Sequence, residues 1–502
     1  MTDILMTHSY HLPYDRKQLR KMQPYPPLAT LYAAAVLRQM GFSVAVFDSM
    51  LEDPVEGFPR ALATLKPHVV VVYEDDFNFL SKMCLTRMRE VAWDMAAQAR
   101  KANAIVIAHG SDATDHTHDF LRAGFNFVLS GESEMVLADL CDALLCGKDG
   151  RLMPGVATLD DATGEVIRVA PLRRHALRIA LPWPARDLID MARYRNAWES
   201  AHGRFSLNLI SSRGCPFRCN WCAKPIFGDA FAVRSAEDVA NEVAELTSRY
   251  GAEHLWFADD VFGLNRHWVI DFADAMAERN CVVPYKVQTR ADLVSAATAS
   301  ALRRSGCAEV WMGIESGSQK VLNAMEKGLR LEEVFAAREK LAANGIKACY
   351  FLQFGYPGET WEDLLATVEL VRETRPDDVG ISLSYPLPGT RFHTRVREEL
   401  GAKRNWMDSD DLCVMFRGAY TNTFYRAIRD AVHAEVNSWN GVGPRLSRSA
   451  VHEMWREIAR NEPAARNHDV TVLPTPAHGP APVAHDFVSV SQLSPATGVT
   501  LG

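Results

Sequence analysis

The chain has 502 residues and a formal charge of −7, long enough for two or three domains and without the basic excess that marks a nucleic-acid partner or an acidic membrane surface. No apolar run reaches spanning length, and the opening M-T-D-I-L-M-T-H has neither a basic n-region nor an apolar h-region, so the expectation is a cytoplasmic protein with no membrane span. Ten cysteines in a chain this size make no disulfide framework, and seven of them are scattered as core residues are, which fits a reducing compartment.

Residues 1–150 alternate strand and helix patterns. Strands are predicted at 4–7, 44–48, 68–74, 104–109 and 127–131, and helices at 28–40, 59–65, 82–101, 116–123 and 134–145. Near-continuous apolar strands between helices argue a Rossmann-like parallel sheet. Ligands of such sheets sit beyond the carboxyl ends of the strands, here the loops 9–27, 73–79, 110–115 and 130–133. No G-x-G-x-x-G follows the first strand, so a dinucleotide fingerprint is absent. The cluster D-A-T-D-H-T-H-D (112–119) reads as a helix start, Thr114 or Asp115 capping an exposed first turn, rather than as a metal site.

Residues 151–200 form a connector with short strand candidates at 155–159 and 166–169. Its Pro-containing stretch 181–194 is expected to lie as a strap across both neighbours. From 205 to 395 the alternation resumes in six larger units, with strands at 205–211, 254–258, 285–289, 309–314, 348–354 and 380–385. The helices between them fall at 236–250, 266–279, 293–305, 318–325, 331–344 and 360–373. Six such units make a partial (β/α)6 barrel, whose strand carboxyl ends line the site. Residues 396–465 are helical, with apolar stripes Phe424, Ile428, Val432, Trp439 and Val451, Met454, Trp455, Ile458 that close the barrel's open side. Residues 466–502 form a Pro-, Ala-, Ser- and Thr-rich tail expected to be disordered. The fold class is therefore α/β, with a parallel-sheet domain, a partial barrel and a small helical region.

The first barrel strand runs into S-S-R-G-C-P-F-R-C-N-W-C (211–222). Cys215, Cys219 and Cys222 stand at C-x3-C-x2-C spacing in a loop at a strand's carboxyl end. Iron–sulfur clusters are held by cysteine thiolates, four for a full set. Three thiolates hold three irons and leave a fourth open to a substrate. A structural zinc asks for four closed ligands, usually in paired C-x2-C units, and no second pair is present.

This spacing, with Trp221 before the third cysteine, resembles the radical SAM superfamily. The resemblance implies a [4Fe–4S] cluster on Cys215, Cys219 and Cys222, S-adenosylmethionine at the open iron, and its cleavage to a 5′-deoxyadenosyl radical. Nucleotide contacts are then implied at the strand ends: Asp259 and Asp260 in F-A-D-D, Arg290 in Q-T-R, Glu315 and Ser316 in G-I-E-S-G, and Gly355 in F-G-Y-P-G-E-T, with Trp221 beside the cluster. The front sheet resembles the cobalamin-binding domain that precedes many such enzymes. The resemblance rests on P-Y-P-P-L-A-T-L-Y-A-A-A-V-L-R (24–38), V-F-D-S (46–49), A-H-G-S-D-A-T (108–114) and S-G-E-S-E (130–134). It implies corrin contacts at Tyr73, His109, Gly110, Ser111, Ser130, Gly131 and Glu132. The first loop lacks D-x-H-x-x-G, so His8, His11 and Tyr14 read as ordinary loop residues and no cobalt ligand is assigned.

The implied activity is methylation of an unactivated carbon of a small molecule, fed by an electron donor such as flavodoxin or ferredoxin. An oxidative cyclase or hydroxylase like the anaerobic magnesium-protoporphyrin ester cyclase stays open beside it. So does a non-catalytic cobalamin and iron–sulfur sensor.

Overall fold

The computed structural model describes residues 2–171, 181–401, 403, 405–440 and 446–467. The tail expected to be disordered lies outside them from residue 468 onward. The first sheet holds β1 Ile4–Thr7, β2 Val44–Phe47, β3 Val69–Tyr73, β4 Ile105–His109, β5 Phe127–Leu129, β6 Val156–Leu159 and β7 Val166–Arg168. Their order is β2-β1-β3-β4-β5-β6-β7, the first five parallel and the last two antiparallel. All five residues of β3 are buried, because helices cover both faces of the sheet. Leu28–Gln39 and Glu134–Leu145 seal one face, and Pro54–Leu65, Thr86–Lys101 and Thr117–Arg122 the other.

Three predicted helices of the front domain differ; the one expected at 82–101 is split into Phe79–Lys82 and Thr86–Lys101. The helix expected at 59–65 begins at Pro54, where Asp53 accepts a hydrogen bond from the Val55 amide at 2.8 Å; Asp-Pro is the stronger start, and Pro59 rides inside the second turn. The helix expected at 116–123 runs Thr117–Arg122, and a further short helix, Ser111–Asp115, stands where a loop was expected. Neither Thr114 nor Asp115 caps a helix.

The second sheet holds six parallel strands in the order β15-β14-β13-β12-β11-β8: β8 Ser206–Leu209, β11 His254–Phe257, β12 Tyr285–Thr289, β13 Cys307–Glu315, β14 Lys347–Phe354 and β15 Asp378–Leu383. A separate antiparallel pair, β9 Ser212–Arg213 and β10 Ala232–Val233, frames the cysteine loop. Along β11 to β15 the residues under the helices are sealed, whereas Trp256, Lys286, Gln288, Trp311, Phe351 and Ser382 on the alternate face keep partial exposure. The inner face therefore mixes partly exposed positions with sealed ones such as Cys349 and Gln353, unlike the packed core of a closed barrel.

The loop after β1 leaves its own sheet and reaches the β8 edge of the barrel. Tyr25 Oη lies 3.1 Å from Ser206 Oγ, Asn208 donates to the Pro26 carbonyl at 2.9 Å, and Trp198 Nε1 donates to the Pro24 carbonyl at 2.6 Å. At the β15 edge, helix Asn422–Asn440 buries Phe424, Tyr425, Ile428, Val432 and Val436 in the barrel's core. The 181–194 stretch touches both domains: the Ala185 amide donates to Leu31 O at 3.1 Å, and Arg186 donates to Asn208 O at 2.7 Å and to Glu242 at 3.1 Å.

Candidate functional site

Gly214 opens the cysteine loop at φ +79, and a Cβ there would collide with the Ala230 carbonyl, so only glycine fits. The three thiols are partly exposed and unbridged. Lys224 ties the loop to itself, donating to Cys215 O at 2.7 Å, to Phe217 O and to Asp229 at 2.9 Å. Asn220 ties it to the barrel: its side chain donates to Ala324 O at 2.8 Å, accepts from Tyr356 Oη at 2.9 Å, and its amide donates to Met325 O at 3.0 Å. Trp221 packs against Val321, Met325, Tyr356 and Phe392.

Burial, and then the neighbouring Cys219 and Cys215, push the Cys222 thiol up to about 12. Burial likewise raises the Cys215 thiol, so the thiolates a metal site needs would be favoured by the positive charge that a metal cluster supplies. Among the described residues no three His, Cys, Asp or Glu side chains converge as ligands of one ion. Three thiols in one loop can supply one thiolate to each of three irons. The donors present therefore fit a [4Fe–4S] cluster.

The strand-end residues divide. Asp259 is buried and committed to the loop: it accepts from the Ser211 amide at 2.8 Å, Ser211 Oγ at 2.7 Å and the Ser212 amide at 2.6 Å, and burial raises its pKa to about 6. Asp260 pairs with Lys82 from the front domain. Arg290 donates to Asp292 at 2.9 Å, Lys327 O at 2.9 Å and Gly328 O at 3.2 Å, with its guanidinium over the Phe217 ring. Of the residues expected at the nucleotide, Asp259 and Arg290 thus contact the cysteine loop.

Glu315 sits at φ +66, in the left-handed region that a non-glycine residue occupies at a cost, and pairs with buried Lys327 at 2.9 Å. The pairing of β13 with β14 shifts register there, and a Cβ at Gly313 would press on both partners. The Lys327 ammonium also feels Cys219, which places this pair beside the thiols. Ser316 lies 3.2 Å from Thr367 Oγ1, and Gly317 admits the backbone of Ala366 and Thr367 too closely for any side chain. Gly355 has φ +80, and its amide donates to Glu359 at 2.7 Å.

The front sheet presents its carboxyl edge to the cysteine loop. Gly131 approaches Ile226 and Lys82 reaches Asp260 across the gap. Tyr73 stacks on His109 at 3.9 Å, and His109 Nε2 bonds Gly131 O at 2.9 Å. Burial lowers the His109 pKa to about 4, so the ring is neutral. Gly110, at φ +140, brings backbone against Glu74. Asp76 Oδ1, Ser111 Oγ and Ser130 Oγ are buried without a hydrogen bond, while His109 Nδ1 faces Asp76 Oδ2 at 3.3 Å. Polar atoms left unpaired along one edge, beside left-handed glycines, fit an amide-rich ligand such as a corrin. His8 bonds Asp48 at 2.9 Å, and His11 bonds Ser49 O at 2.7 Å with Tyr14 edge-on at 4.7 Å, so these three are engaged within the first loop's surroundings.

Arg213, Lys82, Lys327 and Asn220 were missed in the sequence. Arg213 and Asn220 stood within the cysteine motif; Lys82 and Lys327 carried no signal, their partners being distant in the chain.

Residues 209–371 match the Radical SAM superfamily. An uncharacterized methyltransferase of Pyrococcus horikoshii is 26% identical over 388 residues, 76% of this chain and 81% of that protein. The anaerobic magnesium-protoporphyrin IX monomethyl ester cyclase of Rubrivivax gelatinosus is 24% identical over 76% of this chain and 67% of its own length. In fold, the chain resembles the radical S-adenosylmethionine methyltransferase TsrM of Kitasatospora setae, solved with cobalamin and a [4Fe–4S] cluster (TM-score 0.64, 19% identity, 79% of this chain and 75% of that one). It also resembles the cobalamin-dependent enzyme OxsB (TM-score 0.63, 18% identity, 75% of this chain, 52% of that one). With its three thiols at the mouth of six parallel β/α strands, the chain carries a domain of the radical SAM superfamily.

Proposed function

We propose that this protein is a cobalamin-dependent radical SAM enzyme that methylates an unactivated carbon of a small molecule in the cytoplasm, reduced by a flavodoxin- or ferredoxin-like donor. The observation that carries the reading is the placement of the three-thiol loop directly against the carboxyl edge of the front sheet. Bound there, the cluster would supply the electron that opens S-adenosylmethionine and the corrin the methyl group.

The chain's own residues position and shield. Cys215, Cys219 and Cys222 would hold the cluster, while Asp259 and Arg290 fix the loop that carries them. Glu315 and Asp260 would meet the nucleotide, with Trp221, Ser316 and Gly355 beside it. Tyr73, His109, Gly110, Ser111, Ser130, Gly131 and Glu132 would receive the corrin. The partly exposed inner-face rings of Trp256, Trp311 and Phe351 would contact the substrate.

The test is anaerobic incubation of reduced protein with methyl-labelled S-adenosylmethionine and cell extract. Label in a carbon-bound methyl product supports the reading. Unlabelled, ring-closed product favours the cyclase, as in the Rubrivivax relative's name, and a protein that never cleaves S-adenosylmethionine refutes both.

A further inference from the structure

We propose that Arg213 is a positioning residue that locks the cysteine loop to the edge of the first sheet and so fixes the spacing of the two cofactor sites. This rests on the reading above. Arg213 ends β9, one residue before Gly214, and its side chain is 1% exposed. Nη1 lies 2.7 Å from Glu134 Oε1 and 3.8 Å from Glu132 Oε2, both in the segment that follows Ser130 and Gly131. Three rings from three other segments enclose the guanidinium: Tyr32 and Phe77 at 5.3 Å and Phe227 at 5.5 Å. Phe77 of the front domain stacks on Phe227 of the cysteine loop at 5.5 Å.

Burying a guanidinium is costly, and an apolar side chain would fill the same box without the desolvation penalty. What the charge adds is an attraction across the boundary. Two carboxylates on the front domain face one cation on the barrel at 2.7 and 3.8 Å, without hydrogen-bond geometry, and the aromatic box strengthens the hold where water is excluded. Gly214 transmits it, because its left-handed turn against Ala230 leaves no slack between Arg213 and Cys215. A displacement at Glu132–Glu134 is thereby delivered to the first thiol.

The experiment uses the full chain. In cofactor-free protein, hydrogen exchange of the 214–222 amides is expected to rise about ten-fold in Glu134→Gln, which lies on the far side of the gap, with β1 and β3 unchanged. Arg213→Met should do the same and Arg213→Lys should restore protection. In protein loaded with both cofactors, the magnetic coupling between reduced cluster and Co(II) should broaden or weaken in Arg213→Met and return in Arg213→Lys. Unchanged exchange in Glu134→Gln, or wild-type coupling in loaded Arg213→Met, overturns the proposal. Wild-type protein that takes up no corrin overturns the proposed function instead, and the exchange measurement then decides Arg213 alone.

Discussion

The guanidinium carbon of Arg290 lies 3.9 Å from the centroid of the Phe217 ring, joining the third barrel strand's exit to the middle of the cysteine loop. Its donors are already taken by Asp292 and two carbonyls. Arg290→Ala should therefore lower iron retention after reconstitution, by about 1–2 kcal/mol from the ring contact and more from the orphaned carbonyls. Iron per chain and the apparent affinity for S-adenosylmethionine, measured together, check this. Loss of affinity with full iron would return Arg290 to the nucleotide.

Gly214→Ala tests the loop's entry. The new Cβ meets the Ala230 carbonyl at a left-handed turn. The φ penalty alone is about 1 kcal/mol, and the collision adds to it. Circular dichroism should stay native while iron binding falls well below that of the parent chain.

Glu315 and Lys327 are each about 7% exposed and pair at 2.9 Å. Removing one partner strands a buried charge, costing about 3–5 kcal/mol, whereas removing both costs less. Glu315→Leu and Lys327→Met should each lower the melting temperature more than the double substitution does. Additive losses would mean that the charges are solvated independently.

Glu359 makes stability depend on pH. Burial lifts its carboxyl from 4.5 to about 8, so the folded chain keeps a proton that the unfolded chain loses. Its stabilising contribution is full below about pH 4.5 and is lost as pH rises through 8, at roughly 1.4 kcal/mol per unit. Glu359→Gln should flatten the melting temperature across this window and raise it at pH 8. An unchanged slope would locate the titrating group elsewhere.

Much of this was legible in the sequence because the strongest signals were local. Strand 285–289 and helix 134–145 have the predicted bounds, since their periodicity is uninterrupted. The cysteine loop lies at a strand end, as its flanking apolar run implied. The bonds from Asp259 to Ser211 and Ser212 were not legible, because F-A-D-D reads the same whether its first carboxylate meets a nucleotide or those amides. Lys82 and Asp260 are 178 residues apart, so their pairing across the domain boundary left no pattern. The short helix Ser111–Asp115 was missed because five residues after Gly110 give too little periodicity to separate a helix from a loop.

The loop that carries Tyr25 makes the front domain a structural wall of its neighbour. With Pro24 and Pro26 bound to Trp198 and Asn208, the β8 margin is covered by a segment that the chain synthesises first. A fragment beginning at residue 204 would bare that margin and the rings beneath it, an invitation to strand addition between molecules. The front domain and the barrel thus share one buried margin, and a cut between them would expose it.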